Sequence, residues 1–170
     1  GAPACDVLLL NPIESVWCQA YAGWAQWISN VSPDVAPYER RYAQLFHYLT
    51  DHQIDFDYGE EEMMSRMASV DTVHGTPILR VGKASYKTVI VSNMLTIRPT
   101  TLALLRAFMD KGGKVIFCGD APAYVNAVKS DEPAKLAEQG ITIPFDEEVL
   151  VATVRENACE FVSVTNGEGE

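Results

Sequence analysis

The apolar positions of this chain fall into short unbroken runs separated by stretches of helical periodicity. The first run, Cys5-Asp6-Val7-Leu8-Leu9-Leu10, is stopped by Asn11-Pro12. It does not alternate with polar residues, which suits a parallel strand covered on both faces. An aromatic segment follows, with Trp17, Tyr21, Trp24 and Ile28 on one helical stripe and Trp27 nearby. Pro33 and Pro37 punctuate the chain, and Pro37 suits the first turn of the next helix. In that helix Tyr38, Tyr42, Leu45, Phe46 and Leu49 form the apolar side, and Glu39, Arg40, Arg41 and Gln44 the wet one.

A second strand is predicted at Ile54-Asp55-Phe56-Asp57-Tyr58, ended by Gly59. Glu60-Glu61-Glu62 opens another helix, with Met63, Met64 and Met67 as its apolar side and acids where the macrodipole is positive. Pro77–Val81 reads as a short strand turning at Gly82, and Lys87–Ser92 as the third core strand. A helix from Arg98-Pro99 carries Leu102, Leu105, Phe108 and Met109 inward. Gly112-Gly113 stops it, because glycine accepts the left-handed backbone of a helix cap. Lys114–Cys118 is the fourth strand, Asp131–Gln139 a helix ended by Gly140, and Ile141–Ile143 a fifth strand. A helix over Asp146–Asn157 and a strand at Phe161–Val164 complete the pattern. Strands alternating with helices predict an α/β fold: an open, mainly parallel sheet in three layers, helices on both faces, with the flavodoxin-like order 2-1-3-4-5.

Composition narrows the function. The 170 residues are 48% hydrophobic and 21% charged, a globular balance. Asp and Glu number 23 against 13 Lys and Arg, a net charge of -10 that disfavours nucleic acid as a partner. No apolar run approaches the roughly 20 residues of a membrane span, and no stretch has the pattern of a secretory signal. Cys5, Cys18, Cys118 and Cys159 show no CxxC pairing, which is read as free thiols in a reducing compartment and so favours the cytoplasm.

Ligands of open parallel sheets bind beyond the carboxyl ends of the strands. That rule selects Asn11, Glu14 and Trp17 after strand 1, with Trp24 further along the same connection. It selects Asp57 and Glu60 around the end of strand 2, Ser92 and Asn93 after strand 3, and Asp120 after strand 4. The loop after strand 1, Asn11-Pro12-Ile13-Glu14-Ser15, has no glycine, so a dinucleotide fingerprint is missing, and a GxxxxGK[ST] loop is absent too. No cofactor is expected. Glu14 and Trp17 argue against a flavin phosphate loop, and Asn11 and Ser92-Asn93 stand where a phospho-receiver would need acids. Asp55 and Asp57 share a strand face and Glu60 to Glu62 follow, but strand-edge acids and an acidic helix N-terminus explain them better than glycoside chemistry does, and no nearby His supports a metal. The aromatic group reads either as core or as a platform for sugars or a partner protein. Cys118 ends a strand, as an amidotransferase nucleophile would. The three histidines, His47, His52 and His74, all precede it, so no base follows in the order that mechanism uses.

Several runs together carry a family likeness: Phe56-Asp57-Tyr58-Gly59-Glu60, Leu79-Arg80-Val81-Gly82 with Tyr86–Val91, Pro99-Thr100-Thr101-Leu102 through Phe108, and Lys111-Gly112-Gly113-Lys114-Val115-Ile116. Over most of residues 5–145 the chain resembles the glutamine amidotransferase-like domain of large bacterial glycoside hydrolases, of the beta-galactosidase trimerisation type. Segment 14–31 does not match. The resemblance implies that the catalytic acids of the parent lie in a barrel upstream. It also implies that this domain has lost glutaminase chemistry and serves assembly or shapes the mouth of a sugar site.

Residues 1–160 are therefore expected to form the amidotransferase-like domain. Residues 161–170, with Asn166-Gly167 after an alternating run, are expected to begin a following β segment of a longer protein. The expected partners are other domains of that chain, a second copy, or carbohydrate. Two alternatives stand beside the accessory-domain reading: an enzyme using Cys118, and a small-ligand sensor.

Overall fold

The last four side chains of the first apolar run are buried in strand β1 (Val7–Leu10), as its lack of alternation requires. The computed structural model describes residues 7–11 and 35–158. The aromatic group from Trp17 to Ile28, the strand expected at Phe161–Val164, and Cys5, Cys18 and Cys159 lie outside them, as do Glu14 and Trp24. After β1 come α1 (Val35–Asp51), β2 (Phe56–Gly59), α2 (Glu61–Met67), β3 (Ala68–Val73), β4 (Thr76–Val81), β5 (Ala84–Tyr86) and β6 (Thr88–Ser92). Then follow β7 (Thr96–Ile97), α3 (Pro99–Asp110), β8 (Lys114–Cys118), β9 (Tyr124–Val125), β10 (Val128–Lys129), α4 (Glu132–Gln139), β11 (Ile141–Ile143) and α5 (Glu147–Ala158).

The central sheet has five parallel strands in the order β2-β1-β6-β8-β11. Numbered along the chain within this sheet, that is 2-1-3-4-5. Successive residues of each strand point to opposite faces. Val7, Leu9, Ile90, Ile116 and Cys118 meet Leu45 and Leu49 of α1 and Leu150, Val151 and Val154 of α5. Leu8, Leu10, Val89, Val91, Val115 and Phe117 meet Met64 of α2, Leu102, Leu105 and Phe108 of α3, and Leu136 and Ala137 of α4. Two apolar cores thus sandwich one sheet, which makes the protein a three-layer α/β structure.

The predicted stop of α3 is a Schellman cap. Gly113 N–H donates to the Phe108 carbonyl at 2.8 Å and Gly112 N–H to that of Met109 at 2.9 Å, with Gly112 at φ +92°. At the other end of the chain, α5 is capped by Asp146, whose Oδ1 accepts from Val149 N–H at 3.0 Å.

Three features depart from the sequence reading. Of the three methionines of α2 only Met64 is buried, while Met63 and Met67 are exposed, and the helix stops at Met67. The chain then forms an antiparallel meander, β3-β4-β5, of which Pro77–Val81 is only the middle strand. Its tight turn is His74-Gly75, with φ of 52° and 80°, the pair of positive values a type I′ hairpin needs. A second such turn, Asn126-Ala127 at φ 49° and 63°, joins β9 and β10. With β7 these make a small third sheet.

Candidate functional site

Parallel pairing brings the carboxyl ends of the five strands to one edge. Leu10 pairs with Gly59, Leu9 with Ile90, Ser92 with Cys118, and Cys118 with Ile143. Carrying these ladders forward by one or two residues aligns Glu60, Asn11, Ser92, Cys118 and Ile143 in a single row. Asn11 N–H donates to the Gly59 carbonyl at 2.8 Å, which continues the β1–β2 ladder one step past the strands. Asn93 stands one residue beyond the row and Asp120 two beyond Cys118. The direction of the connections reverses between β1 and β6, so the crevice of an open sheet falls between Asn11 and Asn93.

Asn93 is the unusual residue of this edge. Its φ of 57° is left-handed, a region that asparagine visits more readily than other side-chain-bearing residues. It is only 8% exposed, and its side-chain nitrogen has no hydrogen-bond partner among the described residues. Buried amides are nearly always paired, so this one calls for an explanation. Neighbouring Ser92 is fully engaged: its hydroxyl donates to the Cys118 carbonyl at 2.8 Å.

Cys118 is 1% exposed, and its thiol points at the Pro144 carbonyl 3.7 Å away. Burial pushes this thiol up to about 11, although the Ser92 hydroxyl and a backbone contact near Asp146 act in the opposite direction. Among the described residues no imidazole bonds it. His47 lies edge-on to Phe46 on α1, His52 faces Glu147 at 3.2 Å just beyond α1, and His74 sits in the β3–β4 turn. A buried, protonated sulfur without a base is not an activated nucleophile.

The remaining predicted positions take varied places. Asp57 lies within β2, and its Oδ2 accepts from the Tyr86 hydroxyl at 2.7 Å, tying the meander to the parallel sheet. Glu60 precedes α2 and is exposed; Asp120 is exposed as well. Glu14, Trp17 and Trp24 fall outside the described residues. The structure therefore brings Asn11, Glu60, Asn93, Cys118 and Asp120 to one edge, and gives Asp57 a structural bond.

One residue escaped the sequence reading. Glu61 is 1% exposed, and its Oε2 accepts from Arg98 N–H at 2.8 Å, at the residue that caps α3. The acidic triplet hid it, since all three carboxylates suit a helix start. Its spacing of three from buried Met64 was the available signal. Among the described residues no group of three or more His, Cys, Asp and Glu side chains could hold a metal ion, and no helix is long and apolar enough to cross a membrane.

Fold and edge together define a three-layer α/β protein with a five-stranded parallel sheet, whose strand ends present amides and acids around a closed-off thiol. No family model matches the chain, and no curated protein or solved structure matches it significantly.

Proposed function

We propose that the chain is a non-catalytic accessory domain of a glycoside hydrolase-like protein. Its role would be oligomerisation, interdomain packing, or lining a sugar site whose catalytic acids belong to another domain. The family likeness of Phe56–Glu60, Tyr86–Val91 and Lys111–Ile116 supplies the class. The observation that carries the non-catalytic part is Cys118, whose thiol is buried, raised to about 11, and bonded to a backbone carbonyl and, among the described residues, to no base. Acyl transfer from glutamine needs a thiolate, a proton acceptor and convergent amides. The first two are missing around this sulfur among the described residues.

The test uses the 170-residue chain. It should hydrolyse neither glutamine nor an aryl β-galactoside, and iodoacetamide should label Cys118 slowly near neutral pH. Glutamine turnover that disappears in Cys118→Ala would replace this reading with that of a thiol enzyme. The parent open reading frame supplies an independent check: a barrel-sized segment with two well-separated acids should precede this domain.

A further inference from the structure

We propose that the crevice between the carboxyl ends of β1 and β6 binds a neutral, hydroxyl-rich small molecule, with the Asn93 side-chain amide as its buried donor. This goes beyond the accessory-domain reading by giving the chain a ligand of its own. The two can fail separately, because the glutamine and alkylation results do not depend on it.

Three independent observations converge on this place. The crevice lies at the topological switch point, where open parallel sheets leave room for ligands. Asn93, just past the end of β6, holds a left-handed backbone that glycine would adopt without strain, yet the position carries a side chain. That side chain is more than nine-tenths buried, and its nitrogen donates to none of the described residues. A buried amide N–H is normally paired, and this one meets no acceptor among the described residues.

Chemistry narrows the ligand. The amide nitrogen is a donor and requires an acceptor opposite it. Asn11, level with Ser92 on the neighbouring strand, adds a second neutral amide. Glu60 and Asp120 flank the row with negative charge, and the whole chain carries -10. Phosphates and carboxylates would meet repulsion there. A bare cation would gain nothing from an N–H donor, since hard cations take oxygen ligands. Hydroxyls fit both demands, accepting from an amide nitrogen and donating to an amide or carboxylate oxygen.

The experiment follows the side-chain amide signals of the 15N-labelled 170-residue chain by NMR, with the Asn93 pair assigned from its loss in Asn93→Asp. D-galactose, D-glucose and glycerol are titrated, with inorganic phosphate as the contrasting probe. The expected result is a saturable shift of the Asn93 amide with at least one sugar or polyol and none with phosphate. Asn93→Gly, which keeps the left-handed turn and removes the amide, should retain a dispersed backbone spectrum and bind about tenfold more weakly. A shift with phosphate, no shift with any hydroxylated probe, or undiminished binding by Asn93→Gly would each overturn the proposal. Should Asn93→Gly fail to fold, Asn93→Asp takes its place, and the shift of the assigned wild-type amide decides by itself.

Discussion

Cys118 shows how a single residue can look chemical in sequence and be closed off in space. It ends a strand next to a glycine, and that much is legible. Its burial on the α1–α5 side of the sheet depends on Leu150, Val151 and Val154, which come more than thirty residues later. The folded thiol titrates near 11 and an ordinary one near 9. Between those values the unfolded chain holds fewer protons, so stability must fall as pH rises. The loss from this group is at most about 3 kcal/mol, complete above pH 11 and absent below pH 9. Denaturant unfolding at pH 8 and pH 11 should show a smaller alkaline loss in Cys118→Ala than in the wild type. Ala127 offers a second test. Its φ of 63° disfavours a side chain by about 1–2 kcal/mol, so Ala127→Gly should raise the unfolding midpoint. Asn11 and Asn93 were found because the strand-end rule needs only strand boundaries. Glu61 was not, because its partner, the Arg98 N–H, is fixed by tertiary packing. Replacing Glu61 with Ala removes the carboxylate acceptor of that part-buried N–H and should cost about 1–3 kcal/mol in urea unfolding.

Among elements, legibility followed periodicity and capping chemistry. The unbroken runs of β1, β6 and β8 and the stripe of α3 could each be recognised alone, since burial on both faces or on one stripe writes itself into local sequence. The glycine pair after α3 is the best-defined boundary. Gly112→Ala places a Cβ on a backbone at φ +92° and should destabilise the chain by about 1–2 kcal/mol, read from the thermal midpoint. The meander was less visible. Ala68–Val73 follows a helix without a break, and its turn is His-Gly in place of the Asn-Gly or Asp-Gly that usually marks such hairpins. Its cross-strand bonds, such as Arg80 to Asp71 at 3.3 Å, join residues that no short window connects. The β9–β10 hairpin was missed for a similar reason: Asn-Ala is a poor announcement of a type I′ turn.

At the scale of the whole molecule, the sheet divides two cores of different composition, and among the described residues Glu61 is the one buried charged side chain. A net -10 on a chain of this size repels itself at low ionic strength. Raising salt from about 0.01 M to about 0.15 M shortens the screening length from roughly 30 Å to roughly 8 Å, and the melting temperature should rise in step. A fall in melting temperature would mean that paired charges such as Arg66 with Glu62 outweigh the repulsion. The meander gives the molecule one more property. Leu79 and Tyr86 root it in the core, and nothing lies within 4 Å of where a side chain on Gly75 would begin. That tip is a natural handle: an epitope or fluorophore loop spliced between His74 and Gly75 would ride clear of the strand-end crevice and leave both available for measurement at once.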